Sequence, residues 1–94
     1  MNEIILINIS GRDRPGVTSS VTAVLARFEI NVLDIGQAVI HDNLSLGMRI
    51  EVPATAEAAP VEKDLLFCCH ELGLTIRFTP ITERSYNDWV GGQG

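Results

Sequence analysis

Ile4-Ile5-Leu6-Ile7-Asn8-Ile9-Ser10-Gly11-Arg12-Asp13-Arg14-Pro15-Gly16-Val17 decides how this chain folds. The apolar run through Ile9 reads as a strand. It is nearly unbroken, so both faces are expected to be covered and the strand to be central. Pro15 has no N–H donor, which suits a turn or the first position of a helix, where that donor lacks a partner anyway. Gly16 carries no Cβ and lets another group approach the backbone. Beyond it, Val17, Val21, Val24, Leu25 and Phe28 fall on one helical stripe. The strand therefore ends in a tight turn that opens a helix. The first N–H groups of that helix point outward, with the positive end of its dipole behind them. Such a corner is a ready site for a carboxylate or phosphate. A connector that binds nothing would have the same local sequence.

Outward from this corner, Asn31 reads as a helix exit, because Asn tolerates left-handed backbone. Val32 to about Ile40 is a second strand, in which Gly36 marks a bulge or a close backbone approach. His41-Asp42-Asn43 has the composition of a turn. Leu44 to Val52 then alternates strictly, with Leu44, Leu46, Met48, Ile50 and Val52 on one face, and the short connector makes an antiparallel hairpin. After the small-residue connector Ala54–Ala59, Pro60 opens a second helix. Its stripe is Val61, Leu65, Cys68 and Leu72, flanked by Leu66 and Cys69, and Gly73 stands where a left-handed cap belongs. Leu74 to Thr79 is the last strand, with Leu74, Ile76 and Phe78 inward.

The order β-α-β-β-α-β predicts an α+β, ferredoxin-like sandwich: a four-stranded antiparallel sheet with two helices on one face. Strands 1 and 3 are expected in the middle, strands 2 and 4 at the edges. Alternate residues of strand 1 stay apolar on the outer face, so another copy or domain is expected to cover it. Residues 1–80 form this domain. Residues 81–94 read as a linker toward a further module, ending Gly91-Gly92-Gln93-Gly94. Tyr86 and Trp89 within it suit either a docking segment or a terminus resting on its own domain.

Composition narrows the function. The 94 residues carry a net charge of −5 and no basic stripe, which argues against a nucleic-acid partner. No apolar run is long enough for a membrane span, and the first residues lack the basic region of a signal peptide. Cys68 and Cys69 are neighbours, poorly placed to bridge each other, and read as structural thiols in a reducing cytoplasm. No metal-ligand spacing links them to His41 or His70, so no metal site is expected. Ser10, Asp13 and His41 have the residue types of a catalytic triad. However, no Gly-x-Ser-x-Gly elbow is present, and His41 falls in a turn at the far end of strand 2. No Gly-Lys-Ser/Thr phosphate loop occurs, and no two aspartates stand two apart. The chain by itself is therefore not expected to be an enzyme, and no catalytic residue is assigned.

Small-ligand binding remains. The N-terminus of the first helix offers N–H donors for a carboxylate, Asn31 can donate and accept, and Asp34 can meet an ammonium group. An α-amino acid carries both charges. Asn31 equally suits a plain helix exit, and Asp34 a solvated strand position.

Asp13-Arg14-Pro15-Gly16 after an apolar strand, followed by Asn31-Val32-Leu33-Asp34-Ile35 after a helix, resembles the ACT domain family. The resemblance covers about residues 3 to 80. It implies a βαββαβ regulatory module that binds an amino acid between two copies, with Asp13, Pro15 and Gly16 on one side and Asn31 with Asp34 opposite. Within the family, Ile9 to Thr18, Leu44-Ser45-Leu46-Gly47 and Asp64-Leu65-Leu66-Phe67 look like the N-terminal module of the longer bacterial phosphoserine phosphatases. That likeness implies L-serine or glycine as ligand, a homodimer through a sheet edge or the outer face, and a downstream catalytic domain. That domain would use magnesium and an aspartyl-phosphate, and its Asp-x-Asp motif is not in this sequence. No cofactor is expected in the present residues. Similar segments in glycine-cleavage repressors and formyltetrahydrofolate deformylases are the alternatives, as is a purely structural pairing module.

Overall fold

The computed structural model describes residues 2–81. The expected linker, with Tyr86 and Trp89, lies outside the described residues from 82 onward. The elements are β1 (Glu3–Arg12), α1 (Val17–Arg27), β2 (Asn31–Ile40), β3 (Asn43–Val52), α2 (Ala58–Glu71) and β4 (Thr75–Pro80). The strands form one antiparallel sheet in the order β2-β3-β1-β4, with β1 and β3 central as the pattern predicts.

One face of the sheet makes the core. Ile5, Ile7 and Ile9 of β1 and all five predicted residues of β3, Leu44 to Val52, are buried. Val17, Val21, Val24 and Leu25 of α1 close over them, with Val61, Leu65 and Cys69 of α2. Each such aliphatic side chain contributes about 1.5–3 kcal/mol by leaving water. The α2 stripe differs from expectation. Residues at i, i+4 and i+8 of Val61 point inward, which buries Cys69 and leaves Cys68 half-buried beside α1. Leu66 is exposed. Helix α2 also begins at Ala58 rather than Pro60. The first-turn N–H groups have no intrahelical acceptor, so proline is tolerated past the first position, and the preceding alanines favour helix.

Two corrections concern β2. The left-handed residue after α1 is Glu29 (φ 55°), and Asn31 already lies in the strand. Ile30 has buried its side chain by then, and its N–H closes on the Leu25 carbonyl, so the reversal must come earlier. The bulge falls between Val32 and Asp34, not at Gly36, where an added Cβ would meet nothing within 4 Å. His41 and Asp42 both have positive φ (49° and 65°), the sign pattern of the two-residue turn that matches strand twist.

The outer sheet face is mostly polar. Ile4 and Leu6 are half-buried there, among Arg49, Glu51, Arg77 and Thr79 of the flanking strands. Uncovered apolar surface lies instead on β2, all ten of whose residues are exposed, and on α2, where Leu66 and Phe67 are exposed.

Candidate ligand-binding site

Helix α1 starts on Gly16, whose backbone is left-handed (φ 83°, ψ 6°), and no side chain caps it. The Gly16 carbonyl accepts the first helical bond from the Ser20 N–H (2.9 Å) and a second from the Ser19 hydroxyl (3.1 Å). Before the helix, the Asp13 N–H donates to the Asp42 carbonyl of the β2–β3 turn (2.7 Å), which pins the corner to the sheet. The amides of Val17, Thr18 and Ser19 are thus left as donors at the positive end of α1.

These amides border an open depression of about 540 Å³. Asp13, Gly16, Thr18, Ser19, Thr22 and Gln37 contribute to its wall. The hydroxyls of this wall have already donated: Thr18 to Gln37 Oε1 (3.0 Å), Ser19 to Gly16, and Thr22 to the Thr18 carbonyl (2.9 Å). They therefore present acceptor lone pairs on the same turns of α1 that carry the backbone donors, with Asp13 and Arg14 also lining the depression. Backbone donors and the Asp13 carboxylate around one depression match the two charges of a zwitterion.

The predicted site residues divide. Asp13, Pro15 and Gly16 share this corner. Asn31 and Asp34 do not reach it within one copy. Strand β2 runs about 30 Å from Asn31 to Ile40, and only its far end approaches the corner. The bulge also turns Asn31 and Asp34 to the outer face, where they pair with Glu51 and Arg49. The Asp34 carboxylate is held by the Arg49 guanidinium at 2.6 Å. Sequence reasoning missed Thr18 and Gln37. Gln37 is a polar residue on the face otherwise bearing Val32, Ile35 and Val39, a signal readable only once the bulge sets the register.

Among the described residues no group of three or more His, Cys, Asp or Glu could hold a metal ion. Burial pushes the Cys69 thiol up to about 11, with the neighbouring Cys68 adding to it, and raises Cys68 as well, so neither is an activated nucleophile. No helix of the described residues is long and apolar enough to cross a membrane.

The profile of the ACT domain family matches residues 3–79. The chain belongs to that family. Among relatives of this ACT domain, phosphoserine phosphatase SerB2 of Mycobacterium tuberculosis is 34% identical over 73 residues, covering 77% of this chain and 18% of the phosphatase. A UPF0237 protein of Methanocaldococcus jannaschii is 27% identical over 73 residues, covering 77% of this chain and 81% of its own length. Among solved structures, a candidate glycine cleavage system transcriptional repressor superposes with a TM-score of 0.79 at 21% identity, over 87% of this chain and 47% of that one. At that identity the likeness is one of fold. The ACT domain thus spans under a fifth of the phosphatase's length but most of the UPF0237 protein's.

Proposed function

We propose that this ACT domain is a regulatory module that senses a small amino acid, L-serine or glycine, as a pair of copies joined along β2. The observation that carries the proposal is the uncapped start of α1, bordering a depression that Asp13 also lines. The ligand carboxylate would lie on the Val17–Ser19 amides, and its ammonium group toward Asp13. A charge at a helix N-terminus contributes about 0.3–1 kcal/mol when exposed, up to about 2 when partly buried. An open corner in one copy is therefore a weak site, and a second wall would strengthen it by excluding water.

Strand β2 supplies that wall. Val32, Leu33, Ile35, Val39 and Ile40 are 36–69% exposed along an unpaired sheet edge. Two β2 strands paired antiparallel about a two-fold axis would set the start of one strand beside the end of the other. The start of the second copy's β2 would then run beside Gln37 of the first, with Val32 on the helix side toward the depression and the Asn31 and Asp34 side chains on the outer face.

The SerB2 likeness suggests a parent phosphoserine phosphatase, with this domain biasing a downstream catalytic domain that carries the magnesium and the aspartyl nucleophile. Ligand binding would act by favouring one arrangement of the paired domains. A pairing module with an empty corner is the second reading, favoured by the exposure of all ten residues of β2. Calorimetry with L-serine and with glycine, alongside sedimentation, tests both. Sensing requires heat from one amino acid in the dimer, and its loss in Asp13→Ala or in a monomeric variant. A dimer that gives no heat at millimolar ligand leaves only the pairing module.

A further inference from the structure

The turn has a second side. Gly11 stands at the end of β1 with φ 149°. A Cβ there would sit 2.8 Å from Leu74 Cδ2 and 3.4 Å from Leu74 Cα, so the end of β1 packs directly on the α2–β4 corner and a side chain at this position would displace Leu74. Three residues on, the Arg14 guanidinium Nη1 donates to the Leu72 carbonyl at 2.9 Å. Leu72 is the C-cap of α2, so Arg14 brings a cation and a donor to the negative end of that helix. A second depression, of about 570 Å³, lies on this side, between Arg12 to Pro15 and Leu72-Gly73. Asp13 and Arg14 border both depressions.

From this we infer that Arg14 is a positioning residue that, with Gly11, joins the ligand turn to the corner Leu72-Gly73-Leu74, so that occupancy of the turn is felt at the end of α2 and the start of β4. The transmission half rests on the sensing proposal above; the brace itself does not. The corner is otherwise closed by its own backbone, with the Gly73 N–H on the His70 carbonyl (3.1 Å) and the Leu74 N–H on the Cys69 carbonyl (2.8 Å). The ties between the turn and the corner are the Arg14 hydrogen bond and the Gly11 contact, beyond the point where the ladder of β1 and β4 ends at Ser10 and Thr75. A ligand that draws the turn toward α1 must shift the Arg14 backbone, and the guanidinium carries that shift across to Leu72. From Leu74 the chain enters β4 and reaches Ile81, whose N–H bonds the Ile4 carbonyl (2.6 Å) at the opposite end of the sheet. The corner therefore lies on the path between the ligand turn and whatever follows in the chain.

Amide exchange and chemical shifts of the full chain test this in wild type, Arg14→Lys and Arg14→Met. Without ligand, Arg14→Met should speed exchange at Gly73 and Leu74 about tenfold and leave Ile7 and Met48 in the sheet centre unchanged; Arg14→Lys, which keeps the charge, should fall between. Unchanged rates at Gly73 and Leu74 overturn the brace. With L-serine or glycine added, wild type should shift at both Val17–Ser19 and Leu72–Thr75, and Arg14→Met only at Val17–Ser19. Arg14→Met that still shifts at Leu72–Thr75 refutes the transmission, and Arg14→Met that no longer binds makes Arg14 a ligand contact instead. A wild type silent at Val17–Ser19 defeats the sensing proposal and the transmission with it, while the ligand-free rates still decide the brace.

Discussion

Replacing Gly16 with alanine isolates the backbone conformation on which the α1 corner depends. The nearest atom to an added Cβ is Ser19 Oγ at 3.7 Å, an ordinary contact, so the substitution creates no clash. What remains is the left-handed backbone at φ 83°, which costs a residue with a Cβ about 1–2 kcal/mol. For a domain of this size that corresponds to a fall in Tm of about 4–16 °C. Gly36→Ala is the matched control. It has no positive φ and nothing within 4 Å, so alanine there should stabilise by about 0.4–1 kcal/mol through the unfolded chain. Thermal and urea unfolding followed by circular dichroism, at one protein concentration so that self-association is constant, read both changes. Opposite signs are the expected result. Gly16→Ala as stable as wild type would mean that the turn is not held left-handed, and the aimed amides would go with it.

Ile35→Lys places a charge in the middle of the exposed β2 face and should yield monomers by sedimentation, with helix and strand content unchanged; a variant that still dimerises would locate the contact elsewhere. Changing His41-Asp42 to Asn-Gly relieves two residues from positive φ and should add about 1–2 kcal/mol in urea unfolding. The Cys69 thiol, raised from 9.0 to about 11, keeps its proton longer in the folded chain than in the unfolded one. Its contribution to stability is therefore complete below pH 9 and lost between about 9 and 11. Unfolding curves of wild type should fall more steeply over that window than those of Cys69→Ala; parallel curves would show that the thiol is not shielded.

The core was legible because period reports burial. Five alternating apolar residues in β3 and the Val17–Leu25 stripe of α1 each have one way to face the same interior, and each is buried as read. The Gly16 turn was legible too, since proline and glycine at a strand end leave few conformations. Strand β2 was not. Leu33 is an extra residue against β3, and one inserted residue reverses the face of all that follow. Nothing in Asn31-Val32-Leu33-Asp34 announces it, because Val32 and Leu33 are both apolar and either could be the one left out of register. Asp34 reads as a ligand group, and within one copy it is the partner of Arg49. In α2, Cys68 and Cys69 are equally apolar, so only the helical phase set by Val61 and Leu65 separates them. Gly11 and Arg14 were quoted in the deciding stretch, yet their partners lie about sixty residues away, beyond the range of any local pattern.

A strand that fully buries none of its ten residues adds less than the central strands to what keeps a single copy folded. Its residues can be exchanged without emptying the interior, provided the backbone ladder to β3 survives. Partner choice in this domain is therefore free to drift while foldability stays fixed: related chains could come to favour like or unlike companions by rewriting one edge, with Ile5, Leu46 and Leu65 left untouched.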